Sequence, residues 1–129
     1  MLALEDTTTA TAAELPWPAA IILCLVFVGT GVMAWQIGRR GGRYKLPMNR
    51  WVGIRTRSTF RNENTWFAAH YAAAPFFKAA GAAGVLGGLM FLLRPQGTLL
   101  GVTLGVIAVE TMGMVVATTL GVRAANRTR

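Results

Sequence analysis

The stretch Asn49-Arg50-Trp51-Val52-Gly53-Ile54-Arg55-Thr56-Arg57-Ser58-Thr59-Phe60-Arg61-Asn62-Glu63-Asn64-Thr65-Trp66-Phe67-Ala68-Ala69-His70 decides how this chain is read. It is basic, aromatic and polar. Apolar segments long enough to span a bilayer flank it on both sides. The expectation is therefore a cation-rich loop held at a membrane surface by the rest of the chain.

The totals agree. The chain has 129 residues, the size of one domain, with 53% hydrophobic and only 14% charged residues. Soluble domains carry roughly 25% charged residues, so most of this chain has no aqueous face to cover. The net charge of +8 would suggest nucleic acid on a soluble surface. Here eight of the thirteen Lys and Arg residues fall between Arg39 and Arg61, and Arg123, Arg127 and Arg129 close the chain. Cations flanking apolar spans mark cytoplasmic loops, which argues for a membrane surface with anionic headgroups and against nucleic acid. The single cysteine, Cys24, has no companion for a disulfide or a metal site. It reads as a small residue facing lipid or a helix.

Outward from the loop, the spans follow. Residues 1–18 hold Glu5, Asp6 and Glu14 and no cation, and read as a flexible acidic tail outside the cell. A secretory signal would begin with positive charge, so the first apolar segment is expected to be retained. Trp17 suits the water–lipid boundary. Ala19–Ile37 is uncharged, and at about 1.5 Å per residue it comes close to the hydrocarbon thickness of about 30 Å. The glycines from Gly38 onward are expected to stop this helix, with Arg39 and Arg40 at its negative dipole end. After the loop 38–71, spans at about 72–93 and 98–122 follow, joined by Arg94-Pro95-Gln96-Gly97, and residues 123–129 form a basic tail. Asn62 is a good helix N-cap, and Glu63 stands where the dipole favours an anion. Trp66, His70, Ala73 and Phe77 then share one helical face, so the loop leads into an interfacial helix; Pro75 can bend it. The fold class is all-α: an integral membrane protein with three transmembrane helices. The charge pattern puts the N-terminus outside and both the loop and the C-terminus in the cytoplasm, in the plasma membrane.

Small residues at four-residue spacing let helices approach closely. Thr30, Ala34 and Gly38 form one such stripe, Ala80, Gly84 and Gly88 another, and Gly101 and Gly105 a GxxxG pair. Two ionisable residues lie within the spans, Lys78 and Glu110. Counted from the Arg94–Gly97 turn, they differ in depth by about 5 Å. Lys78 either snorkels to the headgroups or pairs with Glu110; Glu110 otherwise is a carboxylic acid hydrogen-bonded to a neighbouring helix. A proton or ion path is a third, more remote role.

In the loop, Gly53 permits a backbone turn that other residues resist. The planar guanidinium of Arg55 suits carboxylates, phosphates or carbonyls, and Thr56, Ser58 and Thr59 can close local turns. One reading has Asn49 and Arg55 tie the loop onto helix ends while Trp66 packs across it. The other makes the loop a docking surface for a protein or a lipid headgroup. His70 has no second ligand nearby and reads as a satisfied interfacial histidine. Without a Ser-His-Asp set, paired carboxylates, a nucleotide loop or a Cys cluster, neither catalysis nor a cofactor is expected.

Asn49, Gly53, Ile54, Arg55, Thr56, Ser58, Asn62, Glu63 and Trp66 together resemble the motif of the SdpI-type immunity protein family. That family also places one span before the motif and two after it, a layout matched over about residues 20–120. The resemblance implies protection against, or sensing of, a secreted peptide that acts on the envelope. It also implies coupling to a cytosolic repressor held at the membrane. The acidic tail and Lys78 have no counterpart in the motif. The competing expectation is an accessory subunit whose Gly- and Ala-rich helices dock on a larger membrane protein, or on further copies of the chain.

Overall fold

The computed structural model describes residues 14–128. It consists of α1 (Trp17–Gly41), α2 (Glu63–Met90) running into a short 3-10 turn (Phe91–Leu93), and α3 (Gly97–Arg127), with no strand among the described residues. All three helices are long and apolar enough to cross a membrane. Most of the acidic tail, and Arg129, lie outside the described residues.

Each boundary has a local cause. α1 starts at the Pro16-Trp17-Pro18 sequence, where prolines cost nothing because first-turn N–H groups have no helical partner; Ala20 N–H donates to Pro16 O. The expected flexible tail therefore ends earlier than residue 18. α1 also continues past the expected stop at Gly38 and ends at Gly41. Gly38 is buried inside the helix, because α2 passes so near that a Cβ there would stand 2.7 Å from Ala74 O. After Gly41 the chain reverses through Tyr44, whose φ is +54°, and Lys45 N–H returns to Arg40 O.

α2 opens with a capping box. The Asn62 side chain accepts from Thr65 N–H at 2.9 Å, and the Thr65 hydroxyl accepts from Asn62 N–H at 3.1 Å. The helix continues through Pro75. Arg94, with φ +48°, and Gly97, with φ +52°, turn the chain into α3.

α2 is the spine. α1 and α3 each pack antiparallel along it and scarcely touch one another. Of the apolar stretch of α2, 44% is buried within the chain, against 11% for α3, so most of α3 faces outward. The α1–α2 seam is backbone against backbone: a Cβ on Gly31 would lie 2.6 Å from Val85 N, and one on Gly81 2.6 Å from Gly31 O. Ala34, Ala80, Gly84 and Gly88 take part in these seams, and Cys24 is buried where α1 faces Gly88. Gly101 and Gly105 do not. Nothing in the chain stands within 4 Å of the place a Cβ would occupy on either. They lie on the outward face of α3, whose inward face carries Thr103, Glu110, Ala117 and Gly121.

The larger buried side chains gather at one end. Ile37 of α1, Leu46 and Ile54 of the loop, Trp66 and Phe77 of α2 and Ala117 of α3 form one cluster. The loop is a packed part of the fold at this end, not a tether between spans. At the far end, Arg94 fastens the α2–α3 turn to the start of α1. Its Nε donates to Leu15 O at 2.7 Å, its Nη2 lies 2.6 Å from Glu14 Oε2, and its guanidinium stands over the Trp17 ring.

Candidate functional site

The motif loop, residues 42–62, is built on Trp66 and His70, one helical turn apart on α2. Both are completely buried. Trp66 Nε1 donates to Leu46 O at 2.9 Å and pins the incoming strand of the loop. The His70 ring, 4.2 Å from the indole between centroids, accepts at Nε2 from Ile54 N–H at 2.8 Å. Its Nδ1 lies 2.8 Å from Trp66 O. An acceptor at Nε2 requires the tautomer with hydrogen on Nδ1, which is then placed to donate to that carbonyl. Both ring nitrogens are thus used by backbone groups, and His70 works as a bracket for the loop.

Gly53 follows from this bracket. Its φ is +109°, a region L side chains rarely adopt, and a Cβ there would run into His70 Nε2. Ile54, next in the motif, drives its side chain into the core and contacts Gly121 of α3. Thr56 and Thr59 then bind reciprocally: each hydroxyl accepts the other's N–H, at 2.9 and 3.3 Å. The buried Thr59 hydroxyl donates to Ile54 O at 2.7 Å, and Thr65 Oγ1 reaches Thr59 O at 3.2 Å. Thr56 Oγ1 and Ser58 Oγ are 2.9 Å apart. Thus Gly53, Ile54, Thr56, Ser58, Asn62 and Trp66 all serve the loop's own architecture. Glu63 stays exposed in the first turn of α2, at the positive end of the helix dipole.

Asn49 and Arg55 act differently from the expectation that they tie the loop to helix ends. Asn49 Oδ1 accepts from the Trp51 and Val52 N–H groups, and its Nδ2 donates to Pro47 O. Arg55 Nη1 donates to Arg50 O at 2.6 Å. Both close the loop on itself. The ties to helices come from residues given no such role from sequence: His70, and Arg61, whose guanidinium reaches Ala125 O and Thr128 O at the C-terminal end of α3. A cation at a helix C-terminus is a recognised pattern, but the partner lies too far along the chain to be read from spacing.

Lys78 and Glu110 are not brought together. The contact register of α2 on α3 runs Ala80 to Gly113, Gly84 to Glu110 and Gly87 to Ile107. Lys78 is therefore level with about residue 116, six residues or about 9 Å from Glu110. It also points elsewhere, exposed beside Gly38 and in a pocket shared with Trp35, Arg39 and Arg43. Glu110 instead reaches across Gly84 to α1, where Thr30 Oγ1 stands 3.1 Å from its Oε1; its Oε2 has no hydrogen-bond partner among the described residues. Gly84 leaves the room for this, since a Cβ there would overlap the carboxyl group. Among the described residues the only salt bridge is Glu14–Arg94, and no cluster of ligating side chains could hold a metal.

Chemically, the loop is a braced platform. Its inner side is backbone hydrogen bonds and aromatic packing. Its outer side presents the exposed Arg50, Arg55, Arg57 and Phe60, together with Trp51, which is 86% exposed. These features define a class: an all-helical membrane protein with three candidate spans and an internally hydrogen-bonded cationic loop at one end of the bundle. The chain belongs to the SdpI/YfhL protein family, whose model matches residues 45–121. The match takes in nearly all of the loop, α2 and most of α3, while α1 precedes it. No curated protein and no solved structure matches the chain.

Proposed function

We propose that this protein is a non-catalytic member of its family that protects a cell against, or senses, a peptide acting on the cell envelope. On this reading it sits in the plasma membrane with its loop in the cytoplasm. The platform of Arg50, Trp51, Arg55, Arg57 and Phe60 is the surface shown to a cytosolic partner. The observation that carries the reading is the bracing of the loop backbone beneath that platform. The family motif is spent on bracing the loop through Gly53, Ile54, Thr59, Trp66 and His70, and the cations and aromatics left over are exposed. A surface held this firmly loses little conformational freedom on binding. A role without catalysis is supported by His70, both of whose nitrogens are committed to backbone groups. The test is a strain lacking the chain, challenged with envelope-active peptides and complemented with wild-type protein or with an Arg55→Gln, Arg57→Gln variant. Tolerance restored by wild type and not by the variant supports the reading; unchanged tolerance in the deletion strain refutes it.

One observation favours a second role, that of accessory subunit. The outward face of α3 carries Gly101 and Gly105 with open space before them, the small-residue surface on which another membrane helix packs closely. Extraction in mild detergent separates the two: a stoichiometric large partner supports the accessory role, and a lone small species excludes it.

A further inference from the structure

Because α1 and α3 scarcely touch, a cleft remains between them, floored by α2 and roofed by the motif loop. It measures about 400 Å³. Met33 of α1, Phe77 of α2 and Met114 of α3 line it within the candidate spans, and Trp51 and Arg55 belong to its roof. Met33 lies eight residues before the end of α1, so the walls reach about 12 Å into the bundle. Arg55 also lines a second, more open hollow of about 510 Å³ on the outside of the roof, with Arg50 and Phe60. Arg55 thus borders both the slot and the cationic hollow.

The hollow is prepared for an anion. The Arg55 guanidinium is held by one N–H to Arg50 O, which leaves most of its five donors free in a fixed plane. Among the described residues the Arg50 side chain has no hydrogen-bond partner, and no carboxylate pairs with either arginine. Trp51, exposed in the roof of the slot, has the amphipathic ring that settles at headgroup depth.

We propose that this cleft is a binding site for a single anionic phospholipid, with the phosphate at Arg50 and Arg55 and an acyl chain between α1 and α3. Shape and charge match one molecule: apolar walls within the candidate spans, and at one end two guanidinium groups that no carboxylate of the described residues pairs. The inference shares Arg50, Trp51 and Arg55 with the surface of the proposed role, and Met33→Trp, which leaves those three in place, separates failure of the lipid site from failure of that reading.

Lipid retention by the full-length protein tests it. Purified protein is equilibrated with mixed micelles containing equal dioleoyl phosphatidylglycerol and dioleoyl phosphatidylcholine, and the lipid carried through native mass spectrometry is counted. The expected result is one phosphatidylglycerol per chain, preferred over phosphatidylcholine by about tenfold, because both lipids offer the phosphate but the quaternary ammonium of choline is repelled by the two guanidinium groups. Arg50→Gln, which removes none of the loop's own hydrogen bonds, should reduce that preference. Arg55→Gln should abolish it, while Arg123→Gln, an equal loss of charge on α3, should leave it intact. Met33→Trp should lower retention of both lipids by filling the slot. Equal retention of the two lipids by wild type, a preference unchanged in Arg50→Gln, or full retention in Met33→Trp would each overturn the proposal. So would displacement of the lipid by free glycerol phosphate, which would make the hollow a site for soluble phosphate.

Discussion

Replacing His70 by leucine removes one acceptor, at Nε2, from the Ile54 N–H that it holds at 2.8 Å. Ile54 is 4% exposed and His70 fully buried, so no water replaces the lost partner. An orphaned buried N–H costs about 1–3 kcal/mol. Leucine keeps apolar volume beside Trp66, so most of the change reports the hydrogen bond. Glutamine is the control, because its side-chain oxygen can reach the position of Nε2 and accept from the same N–H. Equilibrium unfolding in mild detergent, followed by circular dichroism, should place His70→Leu about 1–3 kcal/mol below wild type, with His70→Gln recovering at least half of the loss. Amide exchange should localise the damage: the Ile54 N–H loses protection in the leucine variant, while α3 near Glu110 does not. If leucine and glutamine are equally destabilising, or if Ile54 exchanges equally fast in the wild type, the bracket is not what holds the loop.

Gly53→Ala combines a φ of +109° with a Cβ directed at His70; a loss of at least about 1–3 kcal/mol is expected in the same unfolding assay. Thr30→Val removes the hydrogen bond from α1 to Glu110. Bonds of this kind between membrane helices average about 0.6 kcal/mol, so a small loss is expected, and Ala34→Val, which intrudes on the tight α1–α2 seam, should cost more. Arg94→Gln releases Glu14 and Leu15 O. Because that ion pair is partly exposed, the global loss should stay within about 1 kcal/mol, with exchange at the first turn of α1 rising first. For orientation, Arg57→Cys places a thiol on the exposed loop while native Cys24 is buried. A membrane-impermeant maleimide should label that variant in inverted vesicles and not in intact cells.

The three helices were legible because their signals are local: uninterrupted apolar runs, Asn62 as a cap, and cations at the ends. The Thr65 half of the capping box is equally local, three residues after Asn62, and adds to the dipole role read for Glu63. What failed to show was register. A count from the turn put Lys78 within reach of Glu110, but the 3-10 turn and the residues after it shift the α2–α3 contacts, and helix rotation sends the lysine to the opposite side. The GxxxG at Gly101 and Gly105 likewise states that a face is smooth, not which neighbour lies on it. In the site, Gly53 was recognisable as a turn residue, whereas its second constraint, contact with His70, needed the fold. His70 itself had a faint signal: it stands four residues after Trp66, so both rings face one loop.

The clamp at Arg94 and the loop braces at His70 and Arg61 sit at opposite ends of the bundle. Between them, α1 and α3 scarcely touch and are joined by the Thr30–Glu110 hydrogen bond. A frame fixed at both rims and lightly laced at mid-height yields there first. Lateral squeezing by the surrounding lipid would thus register as widening or narrowing of the gap beside Glu110, while the ends keep their spacing.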